Sequence, residues 1–363
     1  MPEFINGLRL GELFYEEAAR PLLEEHFPSL PYSAAMLGWS SEVLGYDDAE
    51  SRDHNWGPRF QLFLTQKDYE ERGNEITQTL ARELPREFRG YSTNFRAIPD
   101  DAPNVVLAEP AGAGEPVSHK IDLETVEGWF QHNMGRPPGG ELTAADWLTF
   151  SEQKLLAFTS GRVFRDDLGL EAVRQRFHYY PEDVWLYLLA CEWKYVSEEE
   201  AFVGRAGFVG DEVGSTVIAA RIVRRLMRLC FLYERRYAPY SKWFGTAFSR
   251  LACGPALAPL MRAALNATGW RERERRLADA YEAVARMHNE SRLTEPIEAK
   301  VSPHGRPYLV IHADRFGLAL LRRLEARGFP PTKFWVGSVN QFAASDDALT
   351  DARLCRALKV LYE

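Results

Sequence analysis

The sequence predicts an α+β chain in two parts, a mixed N-terminal domain followed by a mainly helical one. Three observations carry this. At 363 residues the chain is long for a single hydrophobic core, and two domains are expected. Over roughly the first 140 residues short apolar runs alternate with helical periods, whereas beyond them the helical period dominates. Between the two lies "GRPPGGELTAADWL" (135–148), with two prolines and three glycines leading to Thr143 as a helix N-cap. The boundary is placed there, giving domains 1–140 and 141–363.

Each element follows from its local pattern. Residues 8–26 place Leu10, Leu13, Phe14, Ala18 and Leu22 at helical spacing. "YSAAML" (32–37), ending at Gly38, reads as a buried strand. "HNW" and "FQLFL" (54–64) read as extended segments split by Gly57-Pro58. Residues 66–83 are polar and helical, and Tyr91–Gly114 is mostly loop. "VSHKIDLETVEGWF" (117–130) alternates around Asp122 as a half-buried strand does, then feeds a helix at Val126–Phe130. In the second part 144–160, 181–203, 211–238 and 270–290 are predicted helices. "RPYLVIHAD" (306–314) is extended, and 315–327 is again helical.

Composition excludes several classes. The formal charge of −8 disfavours a phosphate-backbone binder, whose affinity rests on clustered Lys and Arg, so nucleic acid is not expected as a partner. No apolar run approaches the roughly 20 residues that span a bilayer, and the N-terminus lacks the pattern of a signal peptide. A cytoplasmic protein without a membrane partner is expected. Cys191, Cys230, Cys253 and Cys355 are scattered without CxxC spacing, which points to buried free thiols. The eight histidines form no HxxxH or HxH pair suited to zinc; His288-Asn289 reads as a helix C-terminal cap. GxSxG, Walker and GxGxxG motifs are absent. Nothing in the sequence sets the oligomeric state.

The most informative stretch is "GWSSEVLGYDDAESRDHNWGPRFQLFL" (38–64) together with Asp122. Small residues Gly38, Ser40 and Ser41 form a turn in which backbone N–H groups can approach phosphates. Asp53 and Asn55 point the same way if the segment is a strand, and Asp122 on a second strand would complete an oxygen cluster for Mg²⁺. The plainer alternative is a Gly/Ser turn with an Asx cap.

This order of small-residue turn, Asp-x-acid and later acid-bearing strand resembles the nucleotidyltransferase superfold, as in polymerase beta-like and aminoglycoside nucleotidyltransferases. "SEVLGYDDAESRDHNWGPR", "SGRVFRDDLG", "YYPEDVWLYLLACEW" and "APYSKWFGTAF" more closely resemble the bacterial DUF4037 family, over nearly the whole chain. The resemblance implies a nucleotidyltransferase-like N-terminal domain and a helical C-terminal one. Two positions depart from the superfamily pattern: Ser40 precedes Ser41 where Gly-Ser is preferred, and Asn55 replaces a second acid. An amide carbonyl can ligate Mg²⁺ but brings no charge.

Three further groups are candidates. Arg221, Arg225 and Arg228 fall at i, i+4 and i+7, a stripe that either grips phosphates or pairs with local acids; Arg221, beside two alanines, is the foremost. Lys242 joins Gly38, Ser40, Ser41 and Arg221 as a nucleotide-contacting candidate. Glu192 interrupts the apolar run "VWLYLLACEWKYV". By the resemblance it acts as base on an acceptor hydroxyl; the alternative is a structural ion pair with Arg205 or Lys242.

The expectation is a Mg²⁺-dependent enzyme that moves a nucleoside monophosphate from an NTP, ATP as first choice, to a small hydroxyl- or amine-bearing acceptor. Its catalytic set is Asp53, Asn55, Asp122 and Glu192, with Asp53, Asp122 and Asn55 at the metal. The alternative is an altered or inactive relative that binds a nucleotide or metabolite, or catalyses a different reaction.

Overall fold

The strands and helices of the first part build around the two most apolar runs. In the computed structural model, which describes residues 3–52, 54–100, 104–303, 305–328 and 335–362, these runs are β1 (Tyr32–Met36) and β2 (Arg59–Leu64), buried along their whole length. Strands covered on both faces lose the apolar/polar alternation, which is why both read as continuous apolar segments.

The chain enters through α1 (Gly7–Phe14), a π-helical turn at Tyr15–Ala19, and α2 (Arg20–His26). After β1 a turn leads into the four-residue α3 (Ser41–Leu44) and then to β2. Helix α4 (Gln66–Glu83) starts at Thr65, whose Oγ accepts the Asp68 N–H at 3.1 Å. Two small hairpins follow, β3 (Glu87–Phe88) with β4 (Tyr91–Ser92), and β5 (Phe95–Ala97) with β6 (Val105–Leu107). Strands β4, β5 and β6 fall in the stretch read as mostly loop, because pairs of two or three residues are too short to show a period. Next, β7 (Lys120–Thr125) passes directly into α5 (Val126–Met134), with Thr125 as its N-cap.

The expected helix over 144–160 is interrupted. Helix α6 (Ala144–Thr149) starts on a Thr143/Asp146 capping box; Phe150 then turns extended, and α7 (Glu152–Thr159) follows. Strand β8 (Arg162–Asp166) and α8 (Leu170–Gln175) come next. The sheet order is β7-β2-β1-β8, with β2 parallel to β7 and the other pairs antiparallel. Its fourth strand therefore comes from residues read as part of the helical domain.

One sheet face is apolar: Tyr32, Ala34, Phe60, Leu62, Leu64 and Ile121 pack with Leu10, Phe14, Leu23, Ile76 and Leu80 of the helices. Each such large side chain contributes roughly 1.5–3 kcal/mol by leaving water. On the other face Phe63 meets Trp129, which packs in turn on Phe158.

The chain divides into two units, Met1–Gly140 with Lys154–His178, and Glu141–Gln153 with Tyr179–Glu363. The second unit is helical, and its axis is α9 (Glu182–Glu199), buried from Val184 to Trp193. Around it run α10 (Phe202–Phe208), α11 (Glu212–Tyr233), α12 (Ser241–Ser249), α13 (Gly254–Asn266) and α14 (Trp270–Glu290). The extended segment expected at 306–314 reduces to β10 (Leu309–Val310), paired with β9 (Ser302–Pro303), before α15 (Asp314–Ala326). His288 does not act as a surface cap. It is fully buried, within 2.7 Å of the Tyr233 hydroxyl and 2.8 Å of Thr294 Oγ. All four cysteines are free thiols. Among the described residues no helix is long and apolar enough to cross a membrane.

Candidate functional site

Strand alternation puts Arg59, Gln61 and Phe63 on the face opposite the apolar core. The parallel register pairs them with Lys120, Asp122 and Glu124, so the polar side chains of β2 and β7 share one face. Gln61 holds the centre. Its Oε1 accepts the Leu37 N–H at 2.9 Å, and its Nε2 donates to the Leu37 carbonyl at 3.0 Å, which fixes the chain as it leaves β1.

The turn that follows is clamped from beneath by a buried ion pair. Arg59 Nε donates to Glu42 Oε1 at 3.1 Å; its Nη2 donates to the same oxygen and to Ser40 Oγ, the latter at 2.9 Å. Ser41 Oγ lies 3.4 Å from Glu42 Oε2. Gly38 has φ +124°, a conformation side chains rarely adopt, and its N–H donates to the Ala157 carbonyl at 3.1 Å. Trp39 stands out of the turn, 60% exposed.

Asp122 is half-buried and takes a hydrogen bond from Lys120 Nζ at 2.9 Å. Burial, reinforced by the Asp122 carboxylate, holds Glu124 above the ordinary carboxylate range. Burial lowers His119, whose Nδ1 accepts the Ile121 N–H.

Asn55 does not lie on a strand beside this cluster. It has φ +51°, a left-handed conformation that asparagine tolerates better than most residues. Its N–H donates to the Val105 carbonyl at 2.7 Å, its Nδ2 to Asn104 Oδ1 at 2.6 Å, and its Oδ1 accepts the Val105 N–H at 3.2 Å. Both ends of the amide thus tie the segment before β2 to the β6 edge. Asp47 is likewise engaged, accepting from the Gly7 N–H at 2.7 Å and Trp56 Nε1 at 3.2 Å. Asp53 lies outside the described residues.

Magnesium is usually held by one or two carboxylates together with substrate phosphates. On the polar face Asp122 supplies one such oxygen donor, which fits an ion brought in by a triphosphate, with Asp53 as the further candidate ligand. Among the described residues no group of three His, Cys, Asp or Glu side chains could hold a metal ion by itself.

In the second unit Glu192 pairs with neither Arg205 nor Lys242. It accepts from Arg228 Nε at 2.7 Å and Arg225 Nη1 at 3.4 Å, with no exposed surface. Arg228 also binds Glu152 Oε2 at 3.0 Å, and Glu152 Oε1 accepts the Ala238 N–H at 3.0 Å. Burial raises Glu152 above its ordinary range, with the Arg228 charge opposing. The arginine stripe is therefore divided: Arg225 and Arg228 turn inward to buried acids, while Arg221 lies at the surface against Glu199 at 2.7 Å. Lys242 is exposed beside the Trp243 ring, and Arg205 sits over Phe202.

The side chains that sequence reasoning missed are Arg59, Gln61 and Lys120, together with the pairing of Glu42 to Arg59. A charge opening an apolar strand marks Arg59, and period two marks Lys120 beside Asp122. The 17-residue separation of Glu42 from Arg59 leaves no local signal for their pairing.

Residues 147–244 match the model of a family described as a domain of unknown function, DUF4037. The strings at 160–169 and 179–193 fall inside the match, the one at 238–248 only in part; the stretch 41–59 lies outside it. No curated protein gives a significant match, and no solved structure does.

Proposed function

We propose that the N-terminal unit binds a nucleoside triphosphate with Mg²⁺ and transfers its nucleoside monophosphate to a small hydroxyl- or amine-bearing acceptor. The observation that carries this is Gln61: it pairs with Asp122 on one side and hydrogen-bonds Leu37, at the root of the Gly38–Ser41 turn, on the other. The small-residue turn and a carboxylate thus meet on one face of one sheet, a pairing that triphosphate chemistry uses.

In this reading the turn backbone and Ser41 receive phosphate oxygens, and the Arg59–Glu42 pair keeps Ser40 and the turn in place. Asp122, with Asp53, would hold the metal. Magnesium, when bound, neutralises charge on the phosphates. Asn55 anchors the segment leading into β2, and Glu192 belongs to the buried charge network of the second unit. Lys120, whose Nζ donates to Asp122 at 2.9 Å, would be placed to meet a phosphate oxygen.

A second reading is favoured by one observation: both ends of the Asn55 amide are already engaged with Asn104 and Val105. A protein that binds the nucleotide without transferring it would need no ligand there.

Calorimetric titration with ATP, with and without Mg²⁺, tests the binding common to both readings. Saturable binding that tightens with Mg²⁺, and loses that tightening at least tenfold in Asp122→Asn, is expected. No binding at millimolar ATP overturns both. Pyrophosphate release separates them: Mg²⁺-dependent release by the wild type with hydroxyl- or amine-bearing acceptors supports transfer, and saturable ATP binding without release supports binding alone.

A further inference from the structure

We propose that Cys230 and Cys253 are a redox pair, joined by hydrogen peroxide into a disulfide that ties the end of α11 to the start of α13. Cys230 lies in the last turn of α11 and is fully buried; Cys253 is the N-cap of α13 and is partly exposed. Backbone contacts bring the two together. Glu234, one turn beyond Cys230, donates its N–H to the Cys230 carbonyl at 3.0 Å. Its carboxylate reaches across to α13 and accepts the Ala252 and Cys253 N–H groups, each at 2.8 Å. The Cys253 carbonyl accepts the Ala256 and Leu257 N–H groups at 3.1 and 3.0 Å, which opens α13. The segment between the two cysteines is packed down: Phe244 and Phe248 of α12 meet Phe231 with ring centroids 5.3 and 6.5 Å apart. At Gly254 a Cβ would come within 2.5 Å of the Phe248 carbonyl oxygen, so the chain beside Cys253 is pressed against the end of α12.

The two thiols meet each other. A side-chain hydrogen bond with Cys253, with burial second, holds Cys230 well above the ordinary thiol range. Cys191 instead meets the Tyr187 hydroxyl, and Cys355 Sγ donates to the Ala348 carbonyl at 3.1 Å. A thiol kept protonated in the core is a poor first nucleophile, so the difference in exposure sets the order of steps. The Cys253 sulfur attacks peroxide; an S–O bond forms as the O–O bond breaks, and the departing hydroxide takes the Cys253 proton as water. The Cys230 sulfur then attacks the resulting sulfenic acid. The S–S bond forms, the S–O bond breaks, and the second hydroxide leaves with the Cys230 proton as water. The two sulfurs lose two electrons between them, and one peroxide becomes two waters. Where thiols are kept reduced, such bonds are transient and redox-sensing rather than structural. The link closes the loop of residues 231–252, which carries α12 with Lys242 and Trp243, and so narrows the freedom of that segment.

Peptide mapping of the full native chain, reduced and then exposed to a small excess of hydrogen peroxide, tests the proposal. One intramolecular link between Cys230 and Cys253 is expected, reversed by dithiothreitol. Before oxidation, iodoacetamide should label Cys253 about tenfold faster than the three buried cysteines; afterwards it should label neither member of the pair. The linked chain should melt above the reduced one. Cys253→Ser, at a partly exposed position, should form no link and melt as the reduced wild type does. The proposal is overturned if the native chain forms no link, if the link joins another cysteine or a second chain, or if Cys253 passes to sulfinic acid while Cys230 stays a thiol. A linked chain that melts below the reduced one overturns it too, since the bond would then strain the packing around it.

Discussion

Asn55 shows how one side chain can look like a ligand and serve as a joint. Its left-handed backbone and three hydrogen bonds to Asn104 and Val105 make it the link between β6 and the approach to β2. Asn55→Ala keeps the strained φ and loses both side-chain bonds, so a stability loss of about 1–2 kcal/mol is expected. Asn55→Gly relieves the backbone and should cost less; equal losses in denaturant melts would contradict this. Two buried groups make a second prediction. Burial raises Glu200 from 4.5 to about 7, although the Ile311 and Ala313 N–H groups donate to it. A raised carboxyl contributes stability that is fully present below its unfolded value and is lost as pH rises through about 7. His288 has the opposite sense: burial lowers it from 6.5 to about 4. Its contribution is present above 6.5 and is lost as pH falls through about 4. Between pH 4.5 and 6.5 the two oppose each other. Glu200→Gln removes one, so its Tm should climb between pH 5 and 6.5 more steeply than the wild type's. Parallel Tm profiles would show that Glu200 does not titrate there.

At the scale of the element, α11 separates three arginines that the sequence presents as one stripe. Arg228→Ala would strand Glu192 and Glu152 in the core without their shared partner, and a loss of about 3–5 kcal/mol is expected. Arg221→Ala removes only a surface pair with Glu199 and should stay within about 1 kcal/mol. Urea melts of the two variants check the contrast; similar losses would mean the inward pair is not a core tie. The sequence could announce the inward acid, since a glutamate amid "LLACEW" needs a partner, but it could not name one lying 33 and 36 residues away. Helices with an uninterrupted polar–apolar period, such as Gln66–Glu83 and Trp270–Glu290, were legible to the residue. "RVFRD" was not: β8 is an edge strand with partly exposed side chains throughout, so neither alternation nor an apolar run marks it. The candidate site was legible in the same uneven way. Ser40, Ser41 and Asp122 declare themselves by residue type and spacing. The Arg59–Glu42 clamp and the Asn55 joint exist only once distant segments meet.

At the scale of the whole molecule, the two units share the chain in alternation, which passes between them at 140, 153 and 178. A fragment ending at 140 lacks β8 and α7, leaving the outer edge of β1 unpaired and Trp129 without Phe158. It should not show a cooperative thermal transition, whereas a fragment ending at 178 retains all four strands and should show one. Circular dichroism melts of both decide it, and a cooperative melt for residues 1–140 would show that the sheet does not need β8. The late return of β8 also bears on how the protein is made. A ribosome releases β1 about 130 residues before the strand that closes its flank, a wait on the order of ten seconds at ordinary synthesis rates. During that wait the nascent chain presents an open β-edge to its neighbours on the polysome. Slowing translation between residues 140 and 166 would lengthen that exposure, so the yield of soluble protein should depend on codon choice there more than anywhere downstream.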